Sequence, residues 1–163
     1  MTPHVYSTLS TIPDLDVRRD ESMSHHTTYG IGGETLLFLE AGTRSALSRT
    51  LAALTEEGTP YVVLGNGSNV LFADLPYPGA VLHLGAGFDV AHLERNPENT
   101  EEHTLDVGAA MSITRLLRLA KDEEISGVEF LGGIPGTVGG AVRMNAGTVM
   151  GEVSDSLVAA SLM

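Results

Sequence analysis

The segment YVVLGNGSNVLFAD, Tyr61 to Asp74, sets an apolar, β-branched run directly against two glycines and three polar side chains. Tyr61 to Gly65 reads as a buried strand, because it is short, β-branched and bounded by Pro60 and the glycines that follow. Gly65 and Gly67 let successive backbone N–H groups turn toward one point, an anion nest, and Ser68 and Asn69 add side-chain donors. A phosphate is the natural occupant. Two better-known phosphate loops are excluded by spacing. Val70 stands where a dinucleotide fingerprint needs its third glycine, and no Lys-Ser or Lys-Thr pair follows as a P-loop requires. Nor does a long helix follow, since Pro76 and Pro78 interrupt the chain. Gly-x-Gly alone reads more readily as a turn between strands; the whole string is more specific.

Upstream, TLLFLE (Thr35 to Glu40) reads as a strand. Thr43 can cap a helix whose apolar positions Leu47, Leu51 and Leu54 recur at helical spacing, with Gly58 as its stop. Strand, helix, strand is the order of a right-handed βαβ unit. Met1 to Met23 lacks periodicity and reads as a loose lead-in with room for one short helix. Downstream, AVLHLG (from Ala80), FDVAHLE (from Phe88) and EEHTLDVG (from Glu101) read as three strands of an antiparallel meander, the last two joined by the polar turn RNPENT. Ser112 caps a helix with the apolar face Ile113, Leu116, Leu117 and Ala120, ending near Glu124. From Gly132 the chain reads as too glycine-rich for a helix; AVRMNAG then reads as a strand entering a tight turn, and SLVAASLM as a strand that stops at Met163. The expected organisation is a lead-in over 1–23, a βαβ subdomain over 24–79 and a mixed α/β subdomain over 80–163.

A second glycine segment, GVEFLGGIPGTVGGAVRMNAG, runs from Gly127 to Gly147. Nineteen glycines in 163 residues is about 12%, against an average usage of about 7%, and eight of them lie between Gly127 and Gly151. Gly132, Gly133, Gly136, Gly139 and Gly140 alternate with Ile134, Pro135, Thr137 and Val138, which is too apolar for a flexible linker. A turn fixed by Pro135, with neighbouring N–H groups left free, can hold a diphosphate without many lysines. Asn145 either hydrogen-bonds a polar ring edge or stabilises the turn at Gly147. Two anion loops suit a ligand with two phosphates, and a dinucleotide is the simplest.

Composition narrows the classes further. There are no cysteines, so no thiolate metal site, disulfide or cysteine nucleophile exists here. Twenty-one acids against nine bases leave a net charge of −12, which disfavours nucleic acid as a partner. No apolar run is long enough for a membrane span and the N-terminus lacks a signal-peptide pattern, so a cytoplasmic protein is expected. The six histidines show no metal-ligand spacing, and no metal is expected.

Three segments in order, TTYGIGG (Thr27 to Gly33), VLGNGSNVLFAD and GVEFLGGIPGTVGGAVRMNAG, resemble the flavin-binding half of the UDP-N-acetylenolpyruvoylglucosamine reductase family. The match covers roughly Ser24 to Asp155. The resemblance implies an α+β, two-subdomain FAD-binding fold of the vanillyl-alcohol oxidase (PCMH) type, truncated before the substrate domain. It implies FAD as bound cofactor, with contacts from Gly65, Asn66, Gly67, Ser68, Asn69 and Leu71. The second set of contacts is Gly133, Ile134, Pro135, Gly136, Thr137, Gly139, Gly140, Ala141, Asn145 and Gly147. It further implies NADPH as co-substrate and a UDP-sugar, UDP-N-acetylglucosamine enolpyruvate, as substrate, reduced in cytoplasmic peptidoglycan synthesis. No obligate protein partner is indicated.

The family's catalytic arginine, serine and glutamate fall beyond the last motif present, so no catalytic residue is assigned and the fragment alone is expected to be inactive. Two departures stand out. Thr148, Val149 and Met150 precede Gly151 where the family commonly has an aromatic-glycine pair, and Gly30 takes a position that is often arginine. Two other readings stay open: an oxidase or dehydrogenase of another branch of the fold, and a non-catalytic nucleotide-diphosphate-binding module.

Overall fold

The computed structural model describes residues 3–98 and 102–163 and divides into two compact units, Met1–Gly87 and Phe88–Met163. In the first unit the segment read as a loose lead-in is structured: Pro3–Leu9 forms helix α1 and Leu15–Ser22 forms strand β1. Strand β2 is Glu34–Ala41, helix α2 Arg44–Glu56, β3 Tyr61–Leu64 and β4 Tyr77–Leu84. They build one sheet in the order β1-β2-β4-β3. β1 runs antiparallel to β2, while β2, β4 and β3 are mutually parallel. β1 escaped notice because LDVRRDES is an edge strand, and charged side chains on an edge hide strand periodicity while discouraging pairing with other chains.

The expected strand–helix–strand order is present, with a strand inserted. β4 lies between β2 and β3, so Ala80–Leu84 closes the first sheet instead of opening a meander. The reason is in its composition: Gly79 to Leu82 is buried throughout, as suits a central parallel strand covered on both faces. β2 is central too. Leu37, Leu39 and Ala41 are fully buried on one face, and Phe38 is 2% exposed on the other. Each such leucine contributes about 1.5–3 kcal/mol by leaving water. β3, read as buried, is the other edge; Tyr61, Val62 and Val63 are exposed and only Leu64 is buried. Helix α2 follows expectation, with Thr43 accepting a hydrogen bond from the N–H of Ala46 and Gly58 at φ +61 behind its last turn.

In the second unit β5 (Ala91–Arg95) and β6 (His103–Val107) pair antiparallel. They are the expected hairpin, shortened, since Phe88 ends a 3₁₀ turn; the tip of RNPENT and Glu101 lie outside the described residues. Helix α3 (Ile113–Asp122) begins at Ser112, whose hydroxyl accepts from the N–H of Arg115. Two expectations fail here. Val138–Met144 is a helix, α4, not a strand, and SLVAASLM yields only the end of a single turn, α5 (Val153–Ser156), with 157–163 in no regular element. Glycine costs a helix about 1 kcal/mol per residue. In α4 that cost is offset by the Thr137 cap and by Ala141, Val138 and Val142 packing on the core of Met111, Ile113, Leu116, Phe130 and Leu131. A short hairpin of β7 (Gly147–Thr148) and β8 (Gly151–Glu152) follows α4.

Candidate functional site

The GNGSN loop leaves the carboxyl end of β3 beside the carboxyl ends of β2 and β4, where parallel α/β sheets bind ligands. It is clamped from one side by the segment that carries TTYGIGG. The N–H of Thr28 donates to the carbonyl of Gly67 at 3.0 Å, and the N–H of Gly33 donates to the carbonyl of Ala73 at 2.8 Å. The glycines are what permit this closeness. A Cβ on Gly67 would lie 2.8 Å from the Cα of Thr27 and nearer still to the carbonyl oxygen of His26. One on Gly33 would overlap the backbone of Asp74.

Behind this contact His26 is stacked on Phe38, ring centroids 4.0 Å apart, and its Nε2–H donates to Glu21 at 2.8 Å. Phe38 also faces His83, whose Nδ1–H donates to the carbonyl of Leu64 at 3.0 Å. Thr27, Thr28, Gly65 and Asn66 line a concavity of about 300 Å³ that has Phe38, Leu64 and His83 among its other walls. Neutral hydroxyl and amide groups thus gather beside the glycine loop, a donor set that fits a phosphate-bearing cofactor without lysine. Gly67 is buried, Gly65 and Ser68 are half-buried, and Asn66, Asn69 and Leu71 are exposed. Sequence reading missed Glu21, His26 and Phe38. They meet from two strands, β1 and β2, and the loop between them, at spacings that match no motif.

The second glycine segment is built differently. Ser112 and Thr137 form an antiparallel bridge, through which the N–H of Ile113 donates to Gly136 and the N–H of Val138 to Met111. The N–H of Gly139 donates to Ala109 and that of Gly140 to the Thr137 hydroxyl, so the first turn of α4 spends its donors within the unit. The expectation of N–H groups left free by the glycines near Pro135 is therefore corrected at Gly139 and Gly140; the carbonyl of Ala109 and the hydroxyl of Thr137 take them. A Cβ on Gly139 would meet Ala109 at 2.8 Å. Gly133, at φ +82 with open space around its Cα, is exposed with Pro135, while Ile134 and Gly136 are half-buried. Thr137 and Ala141 are buried. A Thr137→Ala variant is expected to lose about 1 kcal/mol, typical of a missing cap, read as a lower urea midpoint with unchanged slope.

Asn145 closes α4 in the left-handed conformation at φ 46, and its side-chain oxygen accepts from the N–H of Ser154 at 2.9 Å. The turn-stabilising role is the one its geometry fills. Hydrogen bonds from Ser154 and then Asn145 hold the Glu152 carboxyl below its ordinary range. Gly147 packs against Gly151 and Glu152 in the β7–β8 hairpin. Among the described residues no group of three or more His, Asp or Glu is placed to hold a metal ion, and no helix is long and apolar enough to cross a membrane.

A family model described as an FAD binding domain matches residues 35–163. The chain belongs to this family of FAD binding domains. This FAD binding domain is 38% identical over 157 residues to the UDP-N-acetylenolpyruvoylglucosamine reductase of Syntrophobacter fumaroxidans, covering 93% of the chain and 44% of that protein. It is 42% identical over 137 residues to the reductase of the same name from Anaeromyxobacter dehalogenans, covering 84% and 40%. The crystal structure of UDP-N-acetylenolpyruvylglucosamine reductase from Thermus caldophilus aligns with a TM-score of 0.70 at 38% identity, over 88% of this chain and 47% of that one. The chain spans less than half the length of these relatives. Its fold is accordingly that of an α+β FAD-binding domain.

Proposed function

We propose that the chain is the flavin-binding part of an NADPH-dependent reductase that converts UDP-N-acetylglucosamine enolpyruvate to UDP-N-acetylmuramate in cytoplasmic peptidoglycan synthesis. What supports the reading is that curated relatives matched over 93% and 84% of the chain carry one and the same reductase name. The order of the three glycine-bearing segments supports it as well.

In this reading bound FAD supplies hydride chemistry, and the protein supplies binding, orientation and exclusion of water. The FAD diphosphate is held by Gly65, Asn66, Gly67, Ser68 and Asn69, with Leu71 as an apolar neighbour. The second set of diphosphate contacts in this reading is Gly133, Ile134, Pro135 and Gly136, of which Gly133 and Pro135 are exposed. Thr137, Gly139, Gly140, Ala141, Asn145 and Gly147, named with them as contacts, also hold that loop in shape through the α4 cap and its closing turn.

The test is uptake of flavin. The purified chain, incubated with excess FAD and gel-filtered, is expected to carry flavin absorbance at close to one equivalent. Elution free of flavin overturns the proposal, and binding of ADP with no affinity for FAD replaces it with a nucleotide-diphosphate module.

A further inference from the structure

The contact between His26 and the GNGSN loop goes further than a place to bind phosphate, because it identifies what holds the loop in place. At Gly67 the loop meets its neighbour through backbone: Gly67 against the carbonyl of His26, and the Gly67 carbonyl on the N–H of Thr28. Backbone contacts of this kind constrain the loop only as firmly as the neighbour is itself fixed. That neighbouring segment runs through an exposed turn with Gly30 at φ +65 and Tyr29 66% exposed, so Tyr29 contributes little to fixing it. Its far end is held by Gly33, whose N–H donates to Ala73 and whose carbonyl accepts from Met23. The end nearest Gly67 is held by the His26 side chain, which is stacked on the buried ring of Phe38 and hydrogen-bonded to Glu21 of β1. The backbone N–H of His26 donates to Met23, itself fully buried.

We propose that His26 is the positioning residue of the flavin loop, with Glu21 setting the orientation of its ring; this rests on the flavin reading above. His26 also lines the concavity beside the loop; its positioning role is the one it plays through the loop, which is why the loop is read without ligand. His26 preorganises the loop, so that ordering the loop is not charged against binding.

The experiment compares wild type, His26→Ala and Glu21→Ala as the full 163-residue chain. Amide hydrogen exchange in the absence of ligand reads the loop directly, and FAD titration reads the consequence. His26→Ala is expected to speed exchange at 65–69 and to raise the FAD Kd about tenfold. Glu21→Ala keeps the stacked ring and is expected to raise Kd by a smaller factor, about threefold. His26→Gln keeps a donor for Glu21 and recovers part of the loss.

Leu54→Ala, in the fully buried packing of α2, is expected to lower the melting temperature without moving Kd. That separates positioning from stability. Unchanged exchange at 65–69 in His26→Ala, or in Glu21→Ala should the first variant not fold, overturns the inference even where FAD binds normally. A wild type that takes up no FAD overturns the flavin reading, while the exchange data still decide whether His26 orders the loop.

Discussion

Gly67→Ala is expected to abolish flavin uptake and to cost the chain on the order of 3 kcal/mol. Part of that is conformational: Gly67 sits at φ +63, where an L side chain costs roughly 1–2 kcal/mol. The rest is steric. The added methyl would fall on the backbone of His26 and Thr27, and neither a carbonyl nor a Cα can swing aside as a long side chain would. The loop, its neighbour or both must move, and the donors beside the concavity move with them. Gly30→Ala isolates the contact from the conformation, since Gly30 has φ +65 but nothing within 4 Å of where its Cβ would be; it should carry only the conformational cost. Urea unfolding and FAD titration of the two variants measure the difference. A Gly67→Ala chain that binds FAD within about twofold of wild type removes the loop from the binding site.

The second large effect is expected at Phe38, where truncation to alanine should cost about 3–5 kcal/mol. Phe38 is 2% exposed on a central strand, in a cluster with Met23, Leu64 and Val81. Its ring is stacked on His26, and the Arg18 guanidinium lies 5.4 Å from its centroid. Removal leaves a cavity that close-packed neighbours fill only partly, and it takes the support from under His26. Thermal unfolding should therefore shift down while FAD affinity falls in the fraction that stays folded. A melting temperature within a degree or two of wild type would show that the cluster does not hold the sheet face together.

Helices α2 and α3 were legible in the sequence because each begins at a hydroxyl cap and repeats apolar residues at helical spacing, and both signals are local. The position of β4 was not legible. Pairing order in a sheet is decided by which strand can be buried on both faces, and AVLHLG reads alike as a meander strand or a central one. Helix α4 was missed because propensity argued against VGGAVRM while the Thr137 cap and the close approach of Ala109 decided for it. Of the candidate site, the glycine loops were visible as composition. What the glycines do was not: Gly33, Gly67 and Gly139 admit a neighbouring backbone, so part of the excess attributed to ligand contact is spent on the protein's own chain.

The two segments that clamp each other, Thr27–Gly33 and Gly65–Asp74, are joined by hydrogen bonds between residues about forty positions apart. Neither has a helix or strand of its own to persist in isolation. The connection between them includes β2, α2 and β3, so the entropy of closing that long loop is lost before the contact returns anything. The two segments can therefore become ordered against each other only once the parallel pairing of β2, β4 and β3 brings them together, which ties the shape of this loop pair to long-range pairing of the sheet.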